Sequence, residues 1–248
     1  MNEIIQQKFS SLQKDNEVNI LYVCESGSRA WGFASPDSDY DVRFIYVHPK
    51  DFYLGIDEQR DVIELPINEV LDINGWELRK ALRLLRKSNA PVFEWLQSPI
   101  IYQADAVFQS DVQQLMKEYF SPRSMLHHYL SMAGNVIKNE LSSDEVKLKK
   151  YFYALRPLLA SCWIVDRKEI PPMEFGKLRI LLDSSLNTLV DELLTQKAQV
   201  NEKFLIQPIP ELQHWLTEQL QYCEQQVPDA LPQSNVQPLN ELFRKFVV

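Results

Sequence analysis

Apolar residues recur with two different periods over the first hundred positions. Ile4, Ile5, Phe9 and Leu12 share one face of a helix over residues 2–15. Residues 18–24 form a mostly apolar run of strand length, ended by the segment that holds Gly27. Ser35-Pro36-Asp37-Ser38 has the composition of a turn. Residues 40–47, rich in β-formers and closed by Pro49, predict a second strand. Residues 61–67 and 70–73 predict two short strands around Pro66. After Gly75, Leu78, Ala81, Leu82 and Leu85 recur at i, i+3, i+4 and i+7, which predicts a helix over 76–87. Ser88-Asn89-Ala90-Pro91 ends it, and residues 91–97 predict another short helix.

From about residue 105 the period is helical and no further strand is expected. The expected helices cover 106–120, 122–140, 144–165, 174–197 and 208–225. Residues 226–237 have the composition of a linker before a short terminal helix. Strands mixed with helices, then helices alone, imply an α+β domain over 1–104 and an all-helical domain over 105–248. At 248 residues, 45% apolar, the chain can bury a sizeable core.

Composition narrows the function classes. A net charge of −8 argues against general nucleic-acid affinity and leaves room for a local basic groove. Cys24, Cys162 and Cys223 have no CxxC spacing, so neither a disulfide framework nor a zinc ribbon is expected, and a cytoplasmic location fits. His127 and His128 are adjacent with no third ligand at useful spacing, and neither is assigned to catalysis. The polar, amphipathic start lacks the form of a signal peptide, and no apolar run is long enough for a membrane span. Glycine is scarce, 6 of 248, yet Gly27 and Gly32 fall within six residues of each other.

The segment from Cys24 to Phe33 reads as a strand entering a Gly-Ser turn and a helix start. Backbone N–H groups there can hold phosphate oxygens, with Ser28 adding a donor and Arg29 a cation. A tight turn that merely needs glycine is the plainer alternative. Asp39 and Asp41 stand at i and i+2 at a strand start, so both carboxylates face one side, about 7 Å apart. They suit a pair of Mg²⁺ ions, or equally a solvated strand edge. Asp37 fits a turn carboxylate better than a ligand.

A Gly-Ser, ten intervening residues and an Asp-x-Asp resemble the pattern of the DNA polymerase β-like nucleotidyltransferase superfamily. The stretches Glu25-Ser26-Gly27-Ser28-Arg29-Ala30-Trp31-Gly32-Phe33, Asp37-Ser38-Asp39-Tyr40-Asp41-Val42-Arg43, Asp72-Ile73-Asn74-Gly75-Trp76-Glu77 and Lys149-Lys150-Tyr151-Phe152-Tyr153-Ala154-Leu155-Arg156 are similar to its RNA-repair-ligase-associated family. The resemblance implies a polymerase-β-like domain with a mixed sheet and a third carboxylate on a neighbouring strand. Asp72 is the choice, with Glu64 the competitor; Asp72 also fits a helix N-cap.

Two further rows of cations remain. Arg79, Arg83 and Arg86 read as a solvated helix face, while Lys80 lies off that row and within reach of phosphate. Lys149, Tyr153 and Arg156 align at i, i+4 and i+7 with Lys150 beside them, which suits a triphosphate tail and base or an ordinary amphipathic helix. Pro157 is expected to kink that helix.

The resemblance thus implies nucleotidyl transfer from a nucleoside triphosphate to a hydroxyl, with Mg²⁺ (or Mn²⁺) on Asp39, Asp41 and Asp72. Gly27, Ser28, Arg29, Lys150, Tyr153 and Arg156 are assigned to the nucleotide. The family name implies an RNA end as acceptor; a protein hydroxyl, or a silent nucleotide- or RNA-binding module, are the alternatives.

Overall fold

The computed structural model describes residues 1–57, 59–66, 70–230 and 235–248. The chain forms two compact units: one of residues 1–27, 39–120 and the C-terminal segment, the other of residues 28–38 and 121–232 in their described part. Helix α1 (Asn2–Asn16) leads into strand β1 (Asn19–Glu25), and the short helix α2 (Gly27–Trp31) follows. Then come β2 (Tyr40–Val47), α3 (Lys50–Tyr53), β3 (Val62–Glu64), β4 (Leu71–Glu77), α4 (Leu78–Arg86), α5 (Ala90–Leu96), β5 (Ile101–Ala104) and α6 (Ala106–Tyr119). The second unit is chiefly helical: α7 (Pro122–Glu140), the two-residue strand β6 (Val146–Lys147), α8 (Leu148–Arg167), α9 (Phe175–Leu178), α10 (Ser184–Lys197), strand β7 (Leu205–Ile206) and α11 (Pro210–Gln225). Helix α12 (Gln237–Phe246) belongs to the first unit. The chain is α+β, as its sequence implies.

The sheet of the first unit runs β3-β4-β2-β1-β5 and is mixed: β2 and β4 are parallel, the other pairs antiparallel. One face packs on α1. Ile5, Phe9 and Leu12 of α1 meet Val42, Phe44 and Tyr46 of β2 and Leu71 and Ile73 of β4. Each such side chain stabilises the fold by about 1.5–3 kcal/mol when fully buried. Phe9 sets its edge against Phe44, with ring centroids 5.1 Å apart. Alternation along β4 leaves Asp72, Asn74 and Trp76 half-buried on the opposite face, where Trp76 stacks on Trp95 at 3.7 Å.

The structure departs from the sequence pattern in several places. Gly75 does not separate strand from helix; β4 runs on through it to Glu77. A Cβ at Gly75 would stand 2.3 Å from the Phe44 ring, so the glycine is there to admit that ring. The helix begins only at Leu78, capped by the Glu77 carboxylate, which accepts from Arg79 N at 2.7 Å and Lys80 N at 3.3 Å. The helix expected over 174–197 divides, with a 3₁₀ turn at Arg179–Leu181 between α9 and α10. Strands β5, β6 and β7 were not signalled by the apolar pattern.

Ile67, at the end of one expected strand, and residues 231–234 of the expected linker lie outside the described residues. Among the described residues no helix is long and apolar enough to cross a membrane.

The Gly75–Phe44 contact yields a test. Gly75→Ala is expected to cost about 1–3 kcal/mol by overpacking. In a Phe44→Leu background the same substitution should cost much less, because the ring it strikes is gone. Urea unfolding of the four proteins of this double-mutant cycle measures the coupling. Additive losses would show that Phe44 is not what requires the glycine.

Candidate active site

Parallel pairing of β2 with β4 sets Tyr40 opposite Leu71, Asp41 opposite Asp72 and Arg43 opposite Asn74. Two carboxylates are thereby placed side by side on the sheet face away from α1. The Arg43 guanidinium lies between them: Nη2 donates to Asp41 Oδ1 at 3.0 Å and to Asp72 Oδ2 at 2.7 Å. Nη1 donates to the carbonyls of Asp72 (3.1 Å) and Val42 (3.2 Å). Both carboxylate side chains remain 31% exposed, so a ligand can reach them. Asp72 is therefore a strand residue, and the N-cap role belongs to Glu77.

A buried carboxylate holds Asp41 from behind. Glu25, the last residue of β1, is fully buried. Its Oε1 accepts from Asp41 N at 2.9 Å and its Oε2 from the Tyr102 hydroxyl at 2.5 Å. Ser26 N donates to Asp41 O at 2.8 Å, and Ser98 Oγ to the Glu25 carbonyl at 2.6 Å. Gly27 follows with φ +60°, and a Cβ there would lie 2.0 Å from Asp41 Oδ2. Glycine at this turn thus makes room for the Asp41 carboxylate itself.

Asp39 is exposed and stands one residue before β2. Glu64, the competitor of Asp72, lies on the outer strand, paired with Arg60 at 3.2 Å and with Asn74 Nδ2 at 2.8 Å. Lys80 is paired with Asp61 at 2.9 Å. Among the described residues no three His, Cys, Asp or Glu side chains converge as a ready-made cluster. The donors nonetheless fit a hard divalent cation in kind: Asp39, Asp41 and Asp72 supply only carboxylate oxygens, all reachable from solvent.

The second unit contains the other expected residues. Ser28 is buried, and its carbonyl accepts from Gly32 N (3.1 Å) and Phe33 N (3.0 Å). Arg29 Nη2 donates to the Ser38 carbonyl at 2.6 Å. Lys150 pairs with Glu140 at 2.9 Å and holds its ammonium 5.9 Å from the Tyr153 ring centroid. The hydrogen bond and charge of Lys150 keep the Glu140 carboxyl below its ordinary pKa. Tyr153 is half-buried and meets Trp31 edge-on at 5.8 Å. Arg156 is 1% exposed. Its Nε donates to the Met173 carbonyl at 3.0 Å and its guanidinium lies 4.6 Å from the Trp31 ring. The structure thus brings Lys150, Tyr153 and Trp31 together, with Arg156 beneath the indole.

The turn before Asp39 is fastened within the same unit. Asp37 accepts from Glu202 N at 3.0 Å, Ser38 Oγ donates to Glu202 Oε1 at 2.9 Å, and Lys149 pairs with Glu202 at 2.8 Å. Burial raises the Glu202 pKa, but hydrogen bonds from Lys149 and Ser38 outweigh it and the net shift is downward. Buried Lys197 donates to Ser35 Oγ at 2.7 Å.

Sequence reasoning missed Arg43, Glu25 and Tyr102. Arg43 had a signal, since it shares the strand parity of Asp41. Tyr102 had none, because its strand was not expected. Gly27→Ala follows as a test of the site's geometry. Its backbone alone should cost about 1–2 kcal/mol, before the carboxylate is pushed aside. For a chain of this size, that means a melting midpoint lower by roughly 2–8 °C. An unchanged midpoint by calorimetry would remove the constraint.

Comparison with known proteins follows the same lines. The uncharacterised protein YcgL of Bacillus subtilis (strain 168) is 46% identical over 204 residues, 82% of this chain and 78% of that protein. A nucleotidyltransferase-like protein from Exiguobacterium sibiricum 255-15, solved at 1.90 Å, aligns with 99% of this chain and 79% of its own. Its identity is 12% and its TM-score 0.34. The model of the RlaP family, described as the RNA repair pathway DNA polymerase beta family, matches residues 1–245, and the chain belongs to that family.

Proposed function

We propose that the protein transfers a nucleoside monophosphate from a nucleoside triphosphate to an acceptor hydroxyl, with an RNA end as acceptor and pyrophosphate as the second product. The observation that carries this reading is the lateral pairing of Asp41 with Asp72, with the Asp41 carboxylate packed onto Gly27 of the Gly-Ser turn. A turn that only needed glycine, or a merely solvated strand edge, has no reason for that contact.

In the first unit, Asp39, Asp41 and Asp72 are assigned to Mg²⁺, two ions in number, with Mn²⁺ as a substitute. When bound, such ions activate an attacking hydroxyl and stabilise a leaving pyrophosphate. Glu25, itself held by the Tyr102 hydroxyl, fixes the backbone of Asp41, so its carboxylate is oriented before any ligand arrives. Arg43 balances the paired carboxylates and holds them in register. Gly27 and Ser28 are assigned to phosphate oxygens. In the second unit, Arg29 and Lys150 are assigned to the phosphates and Tyr153 to the base, with Arg156 holding Trp31 against that ring. Three free, buried cysteines are compatible with a cytoplasmic setting.

Incubation of the protein with each labelled triphosphate, Mg²⁺ or Mn²⁺, and RNA, protein or no acceptor tests the reading. Label is expected on RNA ends. Asp39→Ala and Asp41→Ala should each abolish transfer, and Asp72→Asn should lower kcat far more than nucleotide affinity. Glu64→Gln should stay active. A dead Glu64→Gln beside an active Asp72→Asn would reassign the third carboxylate. Label on protein would replace the acceptor, and no transfer at all would leave a binding module.

A further inference from the structure

The arginines of α4 were expected to be a solvated face. Arg79 and Arg83 are exposed as expected, and with half-buried Arg86 they line one side of a cavity of about 360 Å³ in the first unit. Its other side is α12, with Leu239, Asn240 and Phe243. Among the described lining residues there is no carboxylate. An adjoining cavity of about 390 Å³ shares Arg79 and Arg83 but is balanced by Asp57, Asp61 and Glu77. Three guanidinium groups thus line a cavity with no carboxylate among its described lining residues, on a chain whose net charge is −8.

The chemistry of this lining is specific. Positions i, i+4 and i+7 follow one helix face over about 10 Å, at 1.5 Å rise per residue. That is the reach of successive phosphates along a nucleic-acid strand. Guanidinium forks match phosphate oxygens. Arg79 is held in place, 4.9 Å from the Tyr53 ring and 5.2 Å from the Phe243 ring. Phe243 and Leu239 offer an apolar wall to a sugar or base, and the Asn240 amide can donate to and accept from a base edge.

We propose that the groove between α4 and α12 binds a stretch of single-stranded RNA, its phosphates on Arg79, Arg83 and Arg86. Naming RNA as the polymer rests on the acceptor reading above. The charge complementarity does not.

Fluorescence anisotropy of a labelled, unstructured RNA of about 12 nucleotides, in EDTA, tests this without any catalytic step. Three phosphate contacts on a single strand predict a slope of log K against log salt near −2, measured from about 50 to 200 mM KCl. Arg83→Ala and Arg86→Ala should each weaken binding roughly five- to tenfold and flatten the slope by about 0.7. The double variant Arg83→Glu, Arg86→Glu should lose binding while keeping its circular dichroism and melting midpoint. Undiminished RNA binding by that folded variant, no RNA affinity in the wild type, or displacement of RNA by equimolar ATP would each overturn the proposal. A wild type that binds RNA through these arginines yet transfers no nucleotide would overturn the catalytic reading alone. Transfer to RNA by a double variant with wild-type affinity would overturn the groove alone.

Discussion

Arg43 stands between two carboxylates that the sheet sets side by side. Parallel pairing of β2 and β4 fixes Asp41 beside Asp72, one strand spacing apart. Two such charges about 5 Å apart repel by roughly 3 kcal/mol at an effective dielectric of 20. A one-residue slip would relieve the repulsion, but it would also turn the core-facing residues of β2 and β4 to the wrong side. The guanidinium resolves the conflict by bonding both carboxylates and two backbone carbonyls. One side chain thus offsets part of the paired negative charge and lets the hydrophobic register stand, so the acidic edge is compatible with a stable sheet.

Much of this was legible in the chain. β2 follows the expected bounds because its β-formers alternate and Pro49 closes it. Asp41 was singled out from strand parity together with the Gly-Ser spacing, and the structure sets it beside Asp72. The errors have physical causes. Gly75 looks like a breaker, yet it is a strand residue whose missing side chain admits a ring thirty-one positions away. No local pattern contains that contact. β5 is a four-residue edge strand next to β1, with alternating exposed and half-buried residues, so its apolar signal is weak. Glu25 ends an otherwise apolar run and looks like its polar boundary, but it is buried because Asp41 N–H and Tyr102 need its oxygens.

The second unit shows the same limit in a helix. Leu148, Phe152, Leu155 and Leu159 form the apolar row of α8, and all are buried. Arg156 belongs to the opposite row by periodicity, yet it is as buried as they are. A guanidinium tolerates that position because Met173 supplies a carbonyl and Trp31 a ring face. Both partners come from outside the helix, so helical periodicity alone misjudged its surroundings.

Helix α12 packs on α4 and α6, although residues 121–232 of the second unit lie between α6 and it in the chain. On a ribosome that makes protein from the N-terminus, the sheet and its first six helices are therefore synthesised long before their last helix. Until α12 arrives, Leu82 and the arginine face of α4 lack their cover. Closing so long a loop is entropically costly and slow. The order of synthesis thus makes completion of the first unit one of the last events in folding, after the intervening unit has had time to form.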